Sequence, residues 1–583
     1  MNKETQRIIV ASILITLVAY FYPTFWSVNN PASDESRVDT ANNTILADEN
    51  HLIDKANNIS PQKNQIDKQY KQIDIVVKNK LYNTTISNYS GGTIINSIMS
   101  EKSNGKYKYL QKNLPQLASL NQNTVINVDS AQDEQPVILN GGNCNTCLGY
   151  YDNNLNEYQY FDSPFKIITP NIETEYSLEE GDSLTIEFQY TWNDMVINKS
   201  VTFYGDSYET RHQYSIDNEL SNKFEIIWNG GLKPIDEEDF NWDAGGMMGV
   251  SGSNAMIGQN DETESIKITD DQRYIAKEEY NGNTGWASVR TKYFIAEILS
   301  DKGADYGTMS GYIDNNTQFP SYNVTLGYYN RQSMTTSVYL GPLDIDHIAR
   351  LNNTLDETIN FGFQIVRPIG KFVLWFLKLL HNTFNLNYGI CLIIFAVIIQ
   401  VLTSPLTKKT YESSRKMQEI QPLVKKIQEK YKNDAQKMNQ EVMNIYRDKG
   451  VNPLGGCLPL LLQMPLLMAI FSVFRDTIEF RGASFFLWIS DLSQPDIIFH
   501  LPFSVPLYGD HVAFLPILMG ISIFLTQKLS MATMDPAQKP MMYIMNGFFI
   551  LIFNSFPAGL NLYYTIYNLL NYYQQKSIRS QSK

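Results

Sequence analysis

The sequence predicts a membrane protein: an α-helical core of five transmembrane helices plus an N-terminal transmembrane anchor, a large antiparallel β-sandwich across the membrane from the cytoplasm, and a cytoplasmic helical hairpin. Three observations predict this. Uncharged apolar runs of bilayer length crowd the last third of the chain, period-two alternation fills the middle, and the charge is divided between them. From Ser27 to Val366 there are 24 Lys and Arg against 47 Asp and Glu, a balance of −23, whereas Arg367 to the end carries 21 against 12, a balance of +9. An acidic soluble domain is therefore tethered to a basic membrane domain, and the overall charge of −13 over 583 residues describes neither.

Residues 1–28 are expected to be the anchor. Ile8 to Phe25 is apolar over about one bilayer thickness, with Lys3 and Arg7 before it. A cleaved signal peptide would want small residues at its end, but Tyr20-Phe21-Tyr22 and Phe25-Trp26 stand there, an aromatic belt that suits an uncleaved span with a cytoplasmic N-terminus. Residues 29–69, rich in Asn, Asp, Ser and Lys, have too few large apolar groups to offset the entropy of ordering and read as a linker.

Residues 70–343 are expected to form the sandwich. Leu184, Ile186, Phe188, Tyr190 and Trp192 alternate with Thr185, Glu187, Gln189 and Thr191, the signature of a half-buried strand. Similar runs recur at Ile73–Val77, Val201–Tyr204, Phe224–Trp228 and Tyr322–Leu326, with glycine pairs such as Gly91-Gly92, Gly141-Gly142 and Gly230-Gly231 between strands. The acidic residues are numerous enough for chance pairs, so a solvated acidic surface is expected rather than a carboxylate site. Cys144 and Cys147 form a lone CxxC with no second ligand pair in view, expected to be a local loop disulfide or two unremarkable thiols.

Residues 344–384 are expected to connect the halves through amphipathic helices. Between Pro368 and Thr383, Lys371, Lys378, His381 and Asn382 form a thin polar stripe on a helix otherwise covered by Phe372, Val373, Trp375, Phe376, Leu379 and Leu380, too charged to span and suited to the membrane interface.

Residues 385–575 hold the five spans, expected at about Tyr388–Ser404, Gly456–Phe474, Phe514–Leu529, Met541–Phe556 and Leu560–Tyr573. Lys408–Lys449 carries eleven basic and six acidic residues, and Arg475–His511 two and five. Basic loops lie inside, so both termini, the latter on the tail 576–583, face the cytoplasm. Within the basic segment, residues 407–451, Met417, Ile420, Val424, Ile427 and Tyr431 recur at helical spacing, as do Met438, Val442 and Ile445, predicting two short helices pressed together, the first bent at Pro422. A loop needing only charge would not need two apolar stripes, so Lys408, Lys409, Arg415, Lys425 and Lys426 are candidates for a cytoplasmic docking surface for a nascent chain or ribosome. Contact with ribosomal RNA there would be electrostatic, without sequence-specific nucleic-acid recognition.

The interiors of the five spans carry no Asp, Glu, Lys or Arg, and all six histidines lie in expected soluble, interfacial or loop segments. Proton- or ion-coupled transport needs a group to titrate or coordinate near the midplane. The sequence also lacks a GxxxxGK phosphate cradle, so no cofactor, metal or catalytic residue is expected. What the spans carry is uncharged polarity. Gln400, Thr403, Ser404, Gln463, Ser522, Tyr563 and Tyr564 are candidates for a substrate groove, alongside Gln527, Asn546, Asn554, Asn561, Thr565, Asn568 and Asn571. Left in hydrocarbon, each would cost on the order of 1 to several kcal/mol. They are expected to turn inward, either bonding helix to helix or lining a wet recess.

Pro405-Leu406-Thr407-Lys408, Asn452-Pro453-Leu454-Gly455-Gly456-Cys457, Gln463-Met464-Pro465, Trp488-Ile489-Ser490-Asp491-Leu492-Ser493 and Phe556-Pro557-Ala558-Gly559-Leu560 resemble, in order, the motifs of the YidC/Oxa/Alb membrane protein insertases. The anchor and sandwich resemble the Gram-negative form of that family with its periplasmic domain. The resemblance implies insertion and assisted folding of inner-membrane proteins, alone or with the Sec translocon, through a hydrophilic groove open to cytoplasm and lipid. Its implied partners are nascent inner-membrane proteins, the Sec translocon, the ribosome and the phospholipid bilayer. The family usually carries a groove arginine five residues before this proline. Here Gln400 stands there, so hydration is expected to replace fixed charge. The other readings are a membrane transporter with a periplasmic solute-binding domain and a membrane-anchored carbohydrate-acting enzyme.

Overall fold

The computed structural model describes residues 70–581 apart from 112–134, 141–143, 218–222, 237–251, 315–318, 352–354, 451–457, 532–538 and a few one- or two-residue breaks in loops. The expected anchor and linker, Gly141-Gly142 and the motif Asn452–Cys457 lie outside the described residues. The chain divides into a β-rich unit ending at Ile359 and a helical unit that starts at Asn360.

The β unit holds two large sheets. Alternation in the sequence becomes alternation in space: in the strand Ser183–Trp192, Ile186, Phe188 and Tyr190 are buried while Thr185 and Glu187 are exposed. It pairs with Met195–Tyr204 without a slip, from Ser183 opposite Tyr204 to Trp192 opposite Met195. From there a 13-stranded sheet runs through Glu209–Asp217, Ser333–Pro342, Phe294–Ile313, Pro320–Tyr329, Lys223–Trp228 and Asn145–Asp152. Its pairings are antiparallel. A five-stranded sheet is built on Asp74–Lys78, Tyr82–Ser87 and Thr93–Met99, and Asp74–Lys78 pairs in parallel with Glu175–Ser177. The sheets meet where the turn at Gly92, φ +100°, presses on Val201 and Phe188. A Cβ there would lie 2.9 Å from Val201 Cγ2. Asn145 Nδ2 crosses to Ile94 O at 3.0 Å. Trp228, Trp286, Tyr214, Tyr328 and Phe188 are fully buried, each contributing on the order of 2 kcal/mol of transfer free energy.

Two interior features bear on stability. Cys144 and Cys147 form a disulfide, and Lys199 Nζ donates to Thr146 O at 2.9 Å and Thr146 Oγ1 at 3.1 Å within that loop. Burial pushes the Lys199 ammonium down to about 7. Glu297, fully buried with neither carboxyl oxygen hydrogen-bonded among the described residues, is pushed well above the usual carboxylate range by the same desolvation.

The helical unit contains α1 (Arg367–Phe384), α2 (Tyr388–Lys430), α3 (Ala435–Asp448), α4 (Leu458–Asp476), α5 (Leu515–Met531), α6 (Lys539–Phe553) and α7 (Ala558–Gln581). Among the described residues, Tyr388–Lys409 is long and apolar enough to cross a membrane, and Leu515–Lys528 and Tyr543–Phe553 are shorter apolar helices. Asn387 caps α2 by accepting from Gly389 N at 2.8 Å. Asp434 caps α3 by accepting from Lys437 N at 3.0 Å. α5 and α2 pack along α7, and α1 packs against α4.

The structure differs from expectation in three places. α2 does not break at Pro405: it runs 43 residues with Pro405 and Pro422 inside it, a rod of about 65 Å. The first arm of the basic segment is therefore the continuation of the first span, not a separate short helix. Each proline forfeits one backbone bond. At the first, Thr403 Oγ1 and Thr407 Oγ1 add hydroxyl bonds to Ile399 O (2.8 Å) and Thr403 O (3.1 Å) along the same turns. The second arm does fold onto it, burying Ile420 and Val424 of α2 and Met438 of α3. Lys378 leaves the polar stripe of α1 and donates to Glu479 Oε1 at 2.9 Å, with both side chains largely buried. Finally, the segment between α4 and α5 holds a β-hairpin, Ile497–Val505 with Gly509–Ala513.

Candidate functional site

Two motifs distant in sequence build one corner of the helical unit. The amides of Ala558 and Gly559, at the start of α7, donate to Gln494 O at 2.7 Å and Leu492 O at 2.9 Å, so the segment after Trp488–Ile489 is stitched to Phe556–Leu560. Gly559 permits this because a Cβ there would lie 2.2 Å from the Phe474 ring on α4. Asn561 then closes the turn from α6, its Nδ2 donating to Phe553 O and Phe556 O, each at 3.1 Å. Asp491 Oδ1 accepts from Ser493 N and Oγ. Asp496 Oδ2 accepts from Leu515 N at 2.8 Å, Phe514 N at 3.2 Å and Trp488 Nε1 at 3.0 Å, capping α5. Burial pushes the Asp496 carboxyl up, and these donors oppose the shift.

With α7 so placed, its polar face meets α2. Gln400 Nε2 donates to Gln574 Oε1 at 2.5 Å, and Gln574 Nε2 donates to Ser404 Oγ at 2.5 Å and Ser404 O at 3.2 Å. Gln400 is buried, and Thr403 and Ser404 are half-buried beside it. Two to three turns back along α7, Tyr563 stands edge-on to Tyr564 at 5.0 Å, stacks on Tyr567 and lies 5.8 Å from Phe395 of α2. Gln463 of α4 is half-buried and lies by Tyr564. Ser522, by contrast, is buried on α5 with its hydroxyl bonded to Met519 O at 2.6 Å, one turn back. The groove candidates thus separate into a glutamine–serine clasp, a tyrosine cluster with Gln463, and an isolated serine.

The clasp and cluster hold more polar capacity than they use. Gln400 Oε1 and Tyr563 Oη are buried without a hydrogen-bond partner among the described residues, as are Gln527 Oε1 and Gln575 Oε1, while the Tyr564 hydroxyl faces Gln463. In apolar surroundings each unpartnered atom would cost about 1–3 kcal/mol. Among the described residues no group of three His, Cys, Asp or Glu could hold a metal ion.

Sequence reading missed Gln574, which closes the clasp, because the last apolar run ends at Tyr573 while α7 continues to Gln581. The Gln574-Gln575 pair, immediately after the span, is the available signal. Of the docking candidates, Lys408, Lys409, Lys425 and Lys426 are exposed on the far part of α2, and Arg415 Nε pairs with Glu419 Oε1 at 3.3 Å on the same helix.

Comparison with known proteins places both units. Residues 379–583 match the family profile described as 60Kd inner membrane protein, and residues 166–376 match that of the YidC periplasmic domain. A protein named membrane protein insertase YidC from Chloroherpeton thalassium is 36% identical over 423 residues, covering 69% of this chain and 70% of that one. Another of that name from Prosthecochloris aestuarii is 38% identical over 385 residues, covering 64% of each. Among solved structures, a galactose mutarotase related enzyme from Lactobacillus acidophilus covers 46% of this chain at 9% identity, with a TM-score of 0.26, too low to carry an argument. The periplasmic-domain match covers much of the β unit and runs into α1, the other match covers the rest of the helical unit with the stitched motifs inside it, and the first relative is aligned over more than two thirds of each chain at more than a third identity: the chain belongs to the YidC membrane protein insertases.

Proposed function

We propose that this protein inserts inner-membrane proteins and assists their folding by offering a hydrated, uncharged recess between α2, α4 and α7 to the polar part of an entering chain. The observation that carries the mechanism is the surplus of buried polar atoms at Gln400 and Tyr563. Moving a polar segment across hydrocarbon is opposed by desolvation of several kcal/mol per unpaired group. A recess that supplies partners part of the way lowers that barrier without an energy source, while the apolar flank of the entering chain exits to lipid. With Gln400 where the family usually has arginine, attraction of acidic tails by fixed charge gives way to hydrogen bonding, to which an amide contributes both donor and acceptor. Similarity to insertases gives the transporter reading no support.

In this reading α2, α4, α5, α6 and α7 cross the membrane with the N-terminal anchor as a sixth span, both termini are cytoplasmic, and the β unit is periplasmic. The basic segment on the far part of α2 and α3 meets the ribosome and the emerging chain, and insertion proceeds alone or beside the Sec translocon. Cysteine crosslinking of ribosome-bound nascent membrane proteins tests it. Positions 400 and 564 are expected to crosslink to the entering segment, and position 443, exposed on α3, to the chain nearer the ribosome. Crosslinks confined to position 443, with none at 400 or 564, would refute the recess.

A further inference from the structure

The hairpin Ile497–Ala513 is built in a way that water alone does not explain. Asp510 is the only Asp, Glu, Lys or Arg in it. Along its first strand, whose register shifts between Ile497 and Phe499, Ile498 and Phe499 are 46% and 51% exposed and Phe503 is 62% exposed. Its large apolar side chains therefore stand open. Beside it, the turn before Trp488 presents Phe486 and Leu487, the latter 74% exposed and held at φ +54°. A lone two-stranded hairpin is marginal in water, and exposed apolar groups gathered this way mark a contact surface.

The hairpin is nonetheless held rigidly. Asn554, at the end of α6, accepts from Ala513 N at 2.9 Å and donates from Nδ2 to Tyr508 O at 2.8 Å and His511 O at 2.7 Å. His511 Nε2 bonds back to Asn554 O at 3.3 Å. At the other end, Asp496 fixes the start of the hairpin to the first amides of α5. The exposed side chains are thus pinned at the level where apolar α5 begins and α6 ends.

We propose that this hairpin lies in the headgroup–acyl boundary of the leaflet opposite the basic segment, with Phe499 and Phe503 in lipid, as a fixed foot that sets the height of α5 to α7. The occupant is lipid rather than a protein partner because exposed apolar groups recur on α5, where Ile521 is 51% exposed, and because a hairpin whose one Asp, Glu, Lys or Arg is Asp510 suits the headgroup–acyl boundary better than the surface of a polar partner. The proposal rests on the reading that α5 crosses the membrane.

The test uses the full chain with Cys391→Ser and Cys457→Ser, reconstituted in vesicles of phosphatidylethanolamine and phosphatidylglycerol. Nitroxides are placed one at a time by Phe503→Cys, Phe499→Cys and Ile521→Cys, and collision with oxygen and with a nickel chelate is measured by power saturation. At 503 and 499, oxygen is expected to dominate severalfold, at a depth of about 5–10 Å below the phosphates, with 521 deeper. A label at 503 and 499 dominated by the nickel chelate, or shielded from both reagents as beneath a protein, while 521 reports lipid, overturns the hairpin proposal alone. A chelate-dominated label at 521 overturns the spanning reading and the proposal with it.

Discussion

Gln400 on α2 and Gln574 on α7 are joined amide to amide at 2.5 Å, and the second glutamine passes the connection to Ser404 one turn along the first helix. The contact between the two helices is thus a relay that leaves one acceptor, Gln400 Oε1, unused among the described residues. Removing either glutamine should break the same relay. Gln400→Leu and Gln574→Leu are each expected to lower insertion in a depletion-rescue assay by about tenfold, the equivalent of about 1.4 kcal/mol, and the double variant should do little further harm. Gln400→Arg should keep activity, since it still donates. Leucine at either position inserting as well as wild type would show the amides to be interior glue only.

Gly559 sits against the Phe474 ring where a methyl would lie 2.2 Å from Cδ1. Gly559→Ala should therefore push α7 off α4 and cost about 1–3 kcal/mol, read as a lowered thermal midpoint of the purified protein. Pairing it with Phe474→Leu should recover part of the loss. A variant melting at the wild-type temperature would mean the two helices do not touch here.

Much of this was legible in the residues. Alternation from Leu184 to Trp192 gave a strand because a two-residue period admits one buried face, and it fills Ser183–Trp192. The apolar runs became helices for the matching reason. What sequence could not weigh was competition between a local rule and its surroundings. Pro405 looks like the end of the first span, yet α2 continues through it and through Pro422. Lys378 looks solvated, yet it reaches Glu479, 101 residues away in sequence. The hairpin after Asp496 was hidden because Pro502 and Pro506 interrupt its alternation. Gln400 was legible as polar and inward, but its partner was not, because pairing between α2 and α7 is a tertiary fact.

Buried titratable groups make the β unit's stability depend on pH in opposite senses. Lys199 has a folded pKa of about 7 against an ordinary 10.5, so between those values the unfolded chain binds a proton that the folded one does not, and stability rises with pH. Glu297 is shifted upward. Its unfolded form ionises first, and the stability of the neutral buried acid is lost as pH climbs above about 4.5. The urea midpoint of the β unit in the full chain, followed by near-UV ellipticity from pH 5 to 10, should therefore change slope in each variant. Lys199→Met should remove the rise above neutrality and Glu297→Gln the fall above the carboxylate range. Curves parallel to wild type in both would place these side chains in water.

Lys378 and Glu479 join α1 to the segment after α4 at 2.9 Å, with side-chain exposures of 13% and 6%. A charge so buried has surrendered its hydration, and what keeps it tolerable is the opposite charge beside it. Glu479→Gln removes the countercharge but leaves the ammonium in place, so it is expected to cost about 3–5 kcal/mol, seen as a drop in thermal midpoint and faster proteolysis near α1. Lys378→Met with Glu479→Leu removes both charges and should restore most of that loss, since the pair's attraction only offsets its own desolvation. If Glu479→Gln alone were neutral, the two groups would be hydrated rather than buried, and α1 would be free to leave α4 and follow the membrane surface.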